Sequence, residues 1–125
     1  TFWLVCPPLV RTAGRLESKN GVSSIESALS GHDEEWARYS LAHAMLRLMS
    51  VCGARKAFLR RYARGMYDSI RRGGVGGIAD VASRRVKCLH LQLASYLGMG
   101  FHPASGWIAS HVLRFECGEG SCSLK

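Results

Sequence analysis

The chain has no apolar run approaching the roughly 18 residues that a membrane-crossing helix needs. Its opening Thr1-Phe2-Trp3-Leu4-Val5 lacks the basic flank and length of a secretion signal. A soluble, cytosolic protein is expected. No initiator Met is present and the sequence starts in mid-pattern, so an upstream segment is expected to precede it. Long β-type runs are also lacking. Phe2-Trp3-Leu4-Val5 is β-prone but too short for a sheet, so it reads as an extended arm on the core, ended by Cys6-Pro7-Pro8. Gly73-Gly74-Val75-Gly76-Gly77 has the backbone freedom of a loop but not the Lys-Ser/Thr of a phosphate-binding loop, and no clear strand precedes it. It reads as a hinge between helices. The run Cys6-Pro7-Pro8-Leu9-Val10-Arg11 has no glycines, and its prolines remove the N–H donors that a phosphatase-type cysteine loop needs. No serine, histidine and carboxylate share a readable spacing for acyl transfer, and Glu26, Asp33, Glu34 and Glu35 read as capping and dipole residues.

What is present fits one folded domain. At 125 residues, 47% hydrophobic and 21% charged, the chain can build one core and is not disordered in bulk. No repeat or separate linker interrupts it. Leu9, Ala13 and Leu16 recur at helical spacing, predicting a helix from about Pro8 to Lys19 that stops at Asn20-Gly21. Ser23 and Glu26 form a capping box for a short helix through Leu29. Asp33, Glu34 and Glu35 open a third, the most apolar, running to Cys52 as the core's central helix. From Arg55 to Arg72 one amphipathic helix is expected, with Leu59, Tyr62, Met66 and Ile70 in a stripe opposite the cations. A further helix capped near Ser83 carries Val86, Leu89, Leu93 and Leu97 inward and ends at Gly98-Met99-Gly100. A last one spans about Gly106 to Phe115. The fold class expected is all-α, a single compact domain of five or six helices with an extended N-terminal arm.

Five cysteines in a reducing compartment argue against a disulfide framework and for metal binding or isolated core thiols. Cys117 and Cys122 can turn toward one ion, and Cys6 and Cys88 also sit at element ends, where backbone N–H groups favour a thiolate. Four such sulfurs suit zinc or an iron–sulfur cluster. His90 can substitute for one, but in a regular helix it points about 200° from Cys88, so both reach one ion only if the first turn is distorted. Cys52 reads as core packing. His32, His43, His102 and His111 are scattered without ligand spacing.

Seventeen Lys and Arg against nine acids give a net charge of +8, which favours polyanions where the cations cluster. Lys56, Arg60, Arg61, Arg64, Arg71 and Arg72, with Arg84, Arg85 and Lys87, are the candidate contacts to RNA or another polyanion. Tyr62 and Tyr67 are available for stacking if exposed. A protein partner docking on an apolar patch is the third alternative, and the oligomeric state is not fixed.

Phe2-Trp3-Leu4-Val5-Cys6-Pro7, Leu9-Val10 and Arg15-Leu16-Glu17 resemble the first motif of the bacterial domain of unknown function 501. Gly74-Val75-Gly76-Gly77-Ile78 and Val86-Lys87-Cys88-Leu89-His90 resemble its second, and the Cys117 to Cys122 pair resembles its cysteine-bearing tail. The resemblance implies a small bacterial protein with no settled activity. It places Cys6, Cys88, Cys117 and Cys122, but not Cys52, on motif positions. It also implies two departures: an upstream segment often holding another cysteine, and a second histidine in some members where this chain has Gln92. The expected function is accordingly a structural or redox-accessory metalloprotein, with the two chain ends meeting near Cys88.

Overall fold

A computed structural model describes residues 2–113 and 115. Helices α1 (Pro7–Glu17), α2 (Gly21–Ala28), α3 (Asp33–Met49), α4 (Gly53–Tyr62), α5 (Arg64–Arg72), α6 (Leu89–Met99) and α7 (Ser105–His111) follow in order, and no strand occurs among the described residues. The all-α expectation holds, with seven helices rather than five or six.

The extra helix comes from Ala63. Its backbone (φ −140°, ψ 55°) leaves the helical region, splitting the basic segment into α4 and α5 and resetting the phase of the apolar stripe. Tyr62 and Met66 therefore stand 68% and 60% exposed instead of facing the core, and neither helix contributes a fully buried residue. The core is built elsewhere. Leu9 and Ala13 of α1, Ile25 of α2, Trp36 and Tyr39 of α3, Leu89 and Leu93 of α6, and Ile108 of α7 share one cluster with Val75 and Val86 from the connections. At about 25 cal/mol per Å² of apolar surface removed from water, this cluster supplies the main driving force for folding.

Helix α3 is less central than its composition implies. Trp36, Tyr39, His43 and Ala44 are buried, but Leu41, Met45 and Met49 lie exposed one turn apart on the other side. Cys52 is also exposed: α3 ends at Met49, and Cys52 is the extended residue before α4, so its expected core role is corrected.

The arm is as expected, an extended Phe2–Cys6 segment. Trp3 and Val5 point outward while Leu4 and Cys6 pack on the core. Phe2 lies so close to Gly98 of α6 that a Cβ there would sit 2.4 Å from its ring. Asn20, in the left-handed region at φ 59°, turns the chain from α1 into α2. The next residue, Gly21, admits no Cβ, since one would meet the Leu16 carbonyl oxygen at 2.6 Å and Leu89 Cδ1 at 2.8 Å. That close approach sets the end of α1 against the start of α6.

Candidate functional site

Two carboxylates from early in the chain hold the segment before α6. Glu26 Oε1 accepts the Val86 N–H at 2.8 Å, and Glu17 Oε1, on the last residue of α1, accepts the Leu89 N–H at 2.6 Å. Glu26 is thus not the partner of a Ser23 capping box. Helix α2 begins at Gly21, three residues earlier than the box requires, and the carboxylate is free to reach across the core. Ser83 likewise does not cap α6, which starts at Leu89 with Cys88 as an extended residue (φ −165°, ψ 157°) just outside it. No side chain of Cys88 caps the helix, so Glu17 supplies from another element the negative oxygen that a helix start favours.

This extended Cys88 removes the angular objection to a shared site. With Cys88 outside the helix and His90 in its first turn, the roughly 200° separation of a regular helix does not apply. Glu17 Oε1 also lies 3.1 Å from His90 Nδ1, and donor atoms of Glu17, Cys88 and His90 all fall within 4.8 Å of one another, each residue half-buried. Sulfur, nitrogen and oxygen from two elements thus face one point. Of the cysteines expected there, Cys6 precedes α1 and does not belong to this group. Cys117 and Cys122 lie outside the described residues. Glu17 is the member that side-chain spacing gave no reason to choose, because 73 residues separate it from His90. Its position inside the Arg15-Leu16-Glu17 motif was the one signal.

Cys88 and His90 also line a cavity of about 650 Å³, with Phe2, Trp3 and Leu4 of the arm, Val10 of α1, Leu91 of α6, Gly76, Gly77, and the cations Arg47 and Lys87. Arg47 pins the glycine loop. Its Nε donates to the Ile70 carbonyl at 3.2 Å, Nη1 to Gly74 O at 3.1 Å, and Nη2 to Gly73 O. Burial lowers its pKa, and no carboxylate pairs with it among the described residues. Gly76 (φ 71°) needs its glycine twice over: the backbone is left-handed, and a Cβ would lie 2.4 Å from Leu91 Cδ2.

The nine candidate polyanion contacts divide. Arg60, Arg61, Arg64 and Arg71 line a second concavity of about 610 Å³ with Tyr67 and Asp68, and Lys56 and Arg72 lie on the same two helices. Arg84 instead pairs with Asp33, Arg85 is exposed between them and α6, and Lys87 faces the other cavity. Neither tyrosine ring is bare. The Arg60 guanidinium lies 6.0 Å from the centre of Tyr67, and that of Arg61 lies 5.6 Å from Tyr62.

A buried polar cluster sits between α3 and α6. His102 Nδ1 accepts the Ala104 N–H at 2.9 Å, which leaves the proton on Nε2 to donate to Gln92 Oε1 at 2.8 Å. Burial, reinforced by nearby His43, pushes the His102 pKa down to about 4. Burial and then the Arg47 charge push His43 down to about 4 as well. Gln92, which the resemblance marked as a departure, thus serves as the acceptor for a buried histidine.

A family model described as "Protein of unknown function (DUF501)" matches residues 1–110. No curated protein and no solved structure matches the chain.

Proposed function

The chain belongs to the DUF501 family of proteins of unknown function, whose description names no activity, and from that premise we propose that it is a metal-binding protein centred on Glu17, Cys88 and His90. The observation that carries this reading is the convergence of three different donor atoms within 4.8 Å, from the end of α1 and the start of α6. A thiolate, an imidazole and a carboxylate form a donor set that zinc accepts, and three protein ligands leave a fourth position for water or substrate. An iron–sulfur cluster ordinarily takes four thiolates, and among the described residues this group offers one, so zinc fits these three donors better. Cys88 and His90 both line the cavity, so two of the three residues that would hold zinc are on its wall. When bound, zinc would polarise an oxygen placed there or hold the N-terminal end of α6 to α1.

Metal analysis of the purified protein tests the reading. About one zinc per chain is expected. Cobalt substituted for it should show a sulfur-to-metal charge-transfer band that Cys88→Ser abolishes. Protein that carries no metal and keeps its melting temperature in chelator rejects the site. A brown chromophore would replace zinc with iron and sulfur.

The basic face supports a second reading, an RNA or other polyanion surface, because four arginines of α4 and α5 converge on one concavity. Binding should weaken steeply with salt and be lost in the triple variant Arg60→Glu, Arg61→Glu, Arg64→Glu. Salt-insensitive or undetectable association removes it.

A further inference from the structure

The cavity beside Cys88 and His90 has a chemistry of its own, independent of any ion. Its walls are mostly apolar, from the arm, Val10 and Leu91, and its volume of about 650 Å³ lies within the range of small-molecule sites. Two cations face it, and no carboxylate is part of its lining among the described residues; Glu17, beside His90, is engaged by the Leu89 amide and the His90 ring. Lys87 is exposed and takes part in no ion pair among the described residues. Arg47 has five N–H donors and gives three of them to carbonyl oxygens, so its charge is met by dipoles and, among the described residues, by no carboxylate. Trp3, on the rim, is 88% exposed, an aromatic surface that a ligand body would cover.

Phosphate does not suit this wall. The amides of Gly73, Gly74 and Gly77 are already bonded to Ser69 O, Ile78 O and Gly74 O, so three of the five amides in the glycine run are withheld from the row of donors that a phosphate cradle presents. What remains is one anionic end near two separate cations and a long apolar flank.

We infer that this cavity binds a small organic carboxylate with an apolar body, its charge held between Lys87 and Arg47 and its body lying against Trp3 and Leu91. The body displaces water from the apolar wall, and the carboxylate supplies the negative charge that the lining lacks.

Titration of chelator-treated protein with decanoate, decylammonium and decanol, followed by tryptophan fluorescence, tests the inference. Decanoate should give a saturable blue shift that Trp3→Phe removes. Decylammonium should bind at least tenfold more weakly, with decanol in between. Lys87→Met should raise the decanoate Kd about two- to fivefold while leaving the melting temperature unchanged, the range for one exposed ion pair. Val10→Phe, which fills the cavity without touching a charge, should weaken all three ligands alike. Equal affinity for decanoate and decylammonium overturns the inference, as does the absence of any Trp3 response at millimolar ligand. Binding that appears only when metal is restored overturns it too, since the ion and not the two cations would then be the anchor. Failure of the zinc analysis leaves the expected decanoate result unchanged, which keeps the two readings separable.

Discussion

A single oxygen of Glu17 serves two partners, the Leu89 amide and the His90 ring, and so couples the start of α6 to the orientation of a candidate ligand. Glu17→Ala in metal-stripped protein should cost roughly 1–3 kcal/mol, because it leaves a part-buried amide without an acceptor. Urea denaturation measures this loss. Glu17→Gln keeps an oxygen to accept the amide proton but loses the negative charge, so it should retain most of the stability while losing metal. If the two variants lose stability equally, the charge rather than the acceptor holds α6. Buried histidines set a second residue-scale behaviour. His43 and His102 both have folded-state pKa values near 4, below the ordinary 6.5, so the unfolded chain binds more protons between those limits. Stability should therefore be complete above about pH 6.5 and fall as pH drops toward 4, by on the order of 3 kcal/mol for each histidine. His43→Phe should roughly halve that fall. The His43 Nε2 has no hydrogen-bond partner to lose among the described residues, and melting curves across the window report the slope. The Cys88-Leu89-His90 adjacency was legible in the sequence. Glu17 was not, because nothing local tells a helix-terminal glutamate which distant amide it will meet.

At the scale of elements, the sequence marked most starts and stops correctly where a residue's own backbone preference decides them. The Pro7-Pro8 entry to α1, the acidic first turn of α3 and left-handed Gly100 after α6 are of this kind. It failed where tertiary contact decides. Ala63 is an excellent helix former, yet it breaks the basic helix, and Gly65 two residues on is the one weak signal near the break. Glu26 read as a local cap because spacing cannot see Val86. Gly98 offers a sharp test of the same point. Replacing a helical glycine by alanine ordinarily stabilises by up to about 1 kcal/mol. Here the added Cβ falls 2.4 Å from the Phe2 ring, and overpacking of this kind costs about 1–3 kcal/mol. Gly98→Ala should therefore release the arm rather than strengthen α6, seen as faster proteolysis before Pro7 with the helices intact. Unchanged protease resistance would show that the ring can move aside at no cost.

Across the whole molecule the charge and the core are segregated. Residues 53–72 carry seven cations and one acid yet bury none of their own residues completely, whereas α1, α2, α6 and α7 supply much of the core. The cationic pair of helices is tied back partly by α3, from which Arg47 grips Ile70, Gly73 and Gly74. Arg47→Met should accelerate amide exchange over residues 64–77 well before it affects α1 or α6. Uniform acceleration across the chain would mean the protein opens as one unit. No helix of the described residues is long and apolar enough to cross a membrane. The all-α class and the clustering of cations were readable from composition and periodicity alone. The division into a core-rich half and a cation-rich half was not, since both halves show similar helical periodicity.

The clamp of Glu17 and Glu26 on Val86 and Leu89 also bears on when the site can exist during synthesis. A ribosome releases the two glutamates some sixty to seventy residues before the amides they hold. Closing so large a loop is entropically slow, with the penalty growing as the logarithm of its length. The carboxylate therefore emerges first and waits without the thiol and imidazole, and the three donors become a set only after the first and sixth helices have found each other. Any ion they hold would report a finished fold rather than template one.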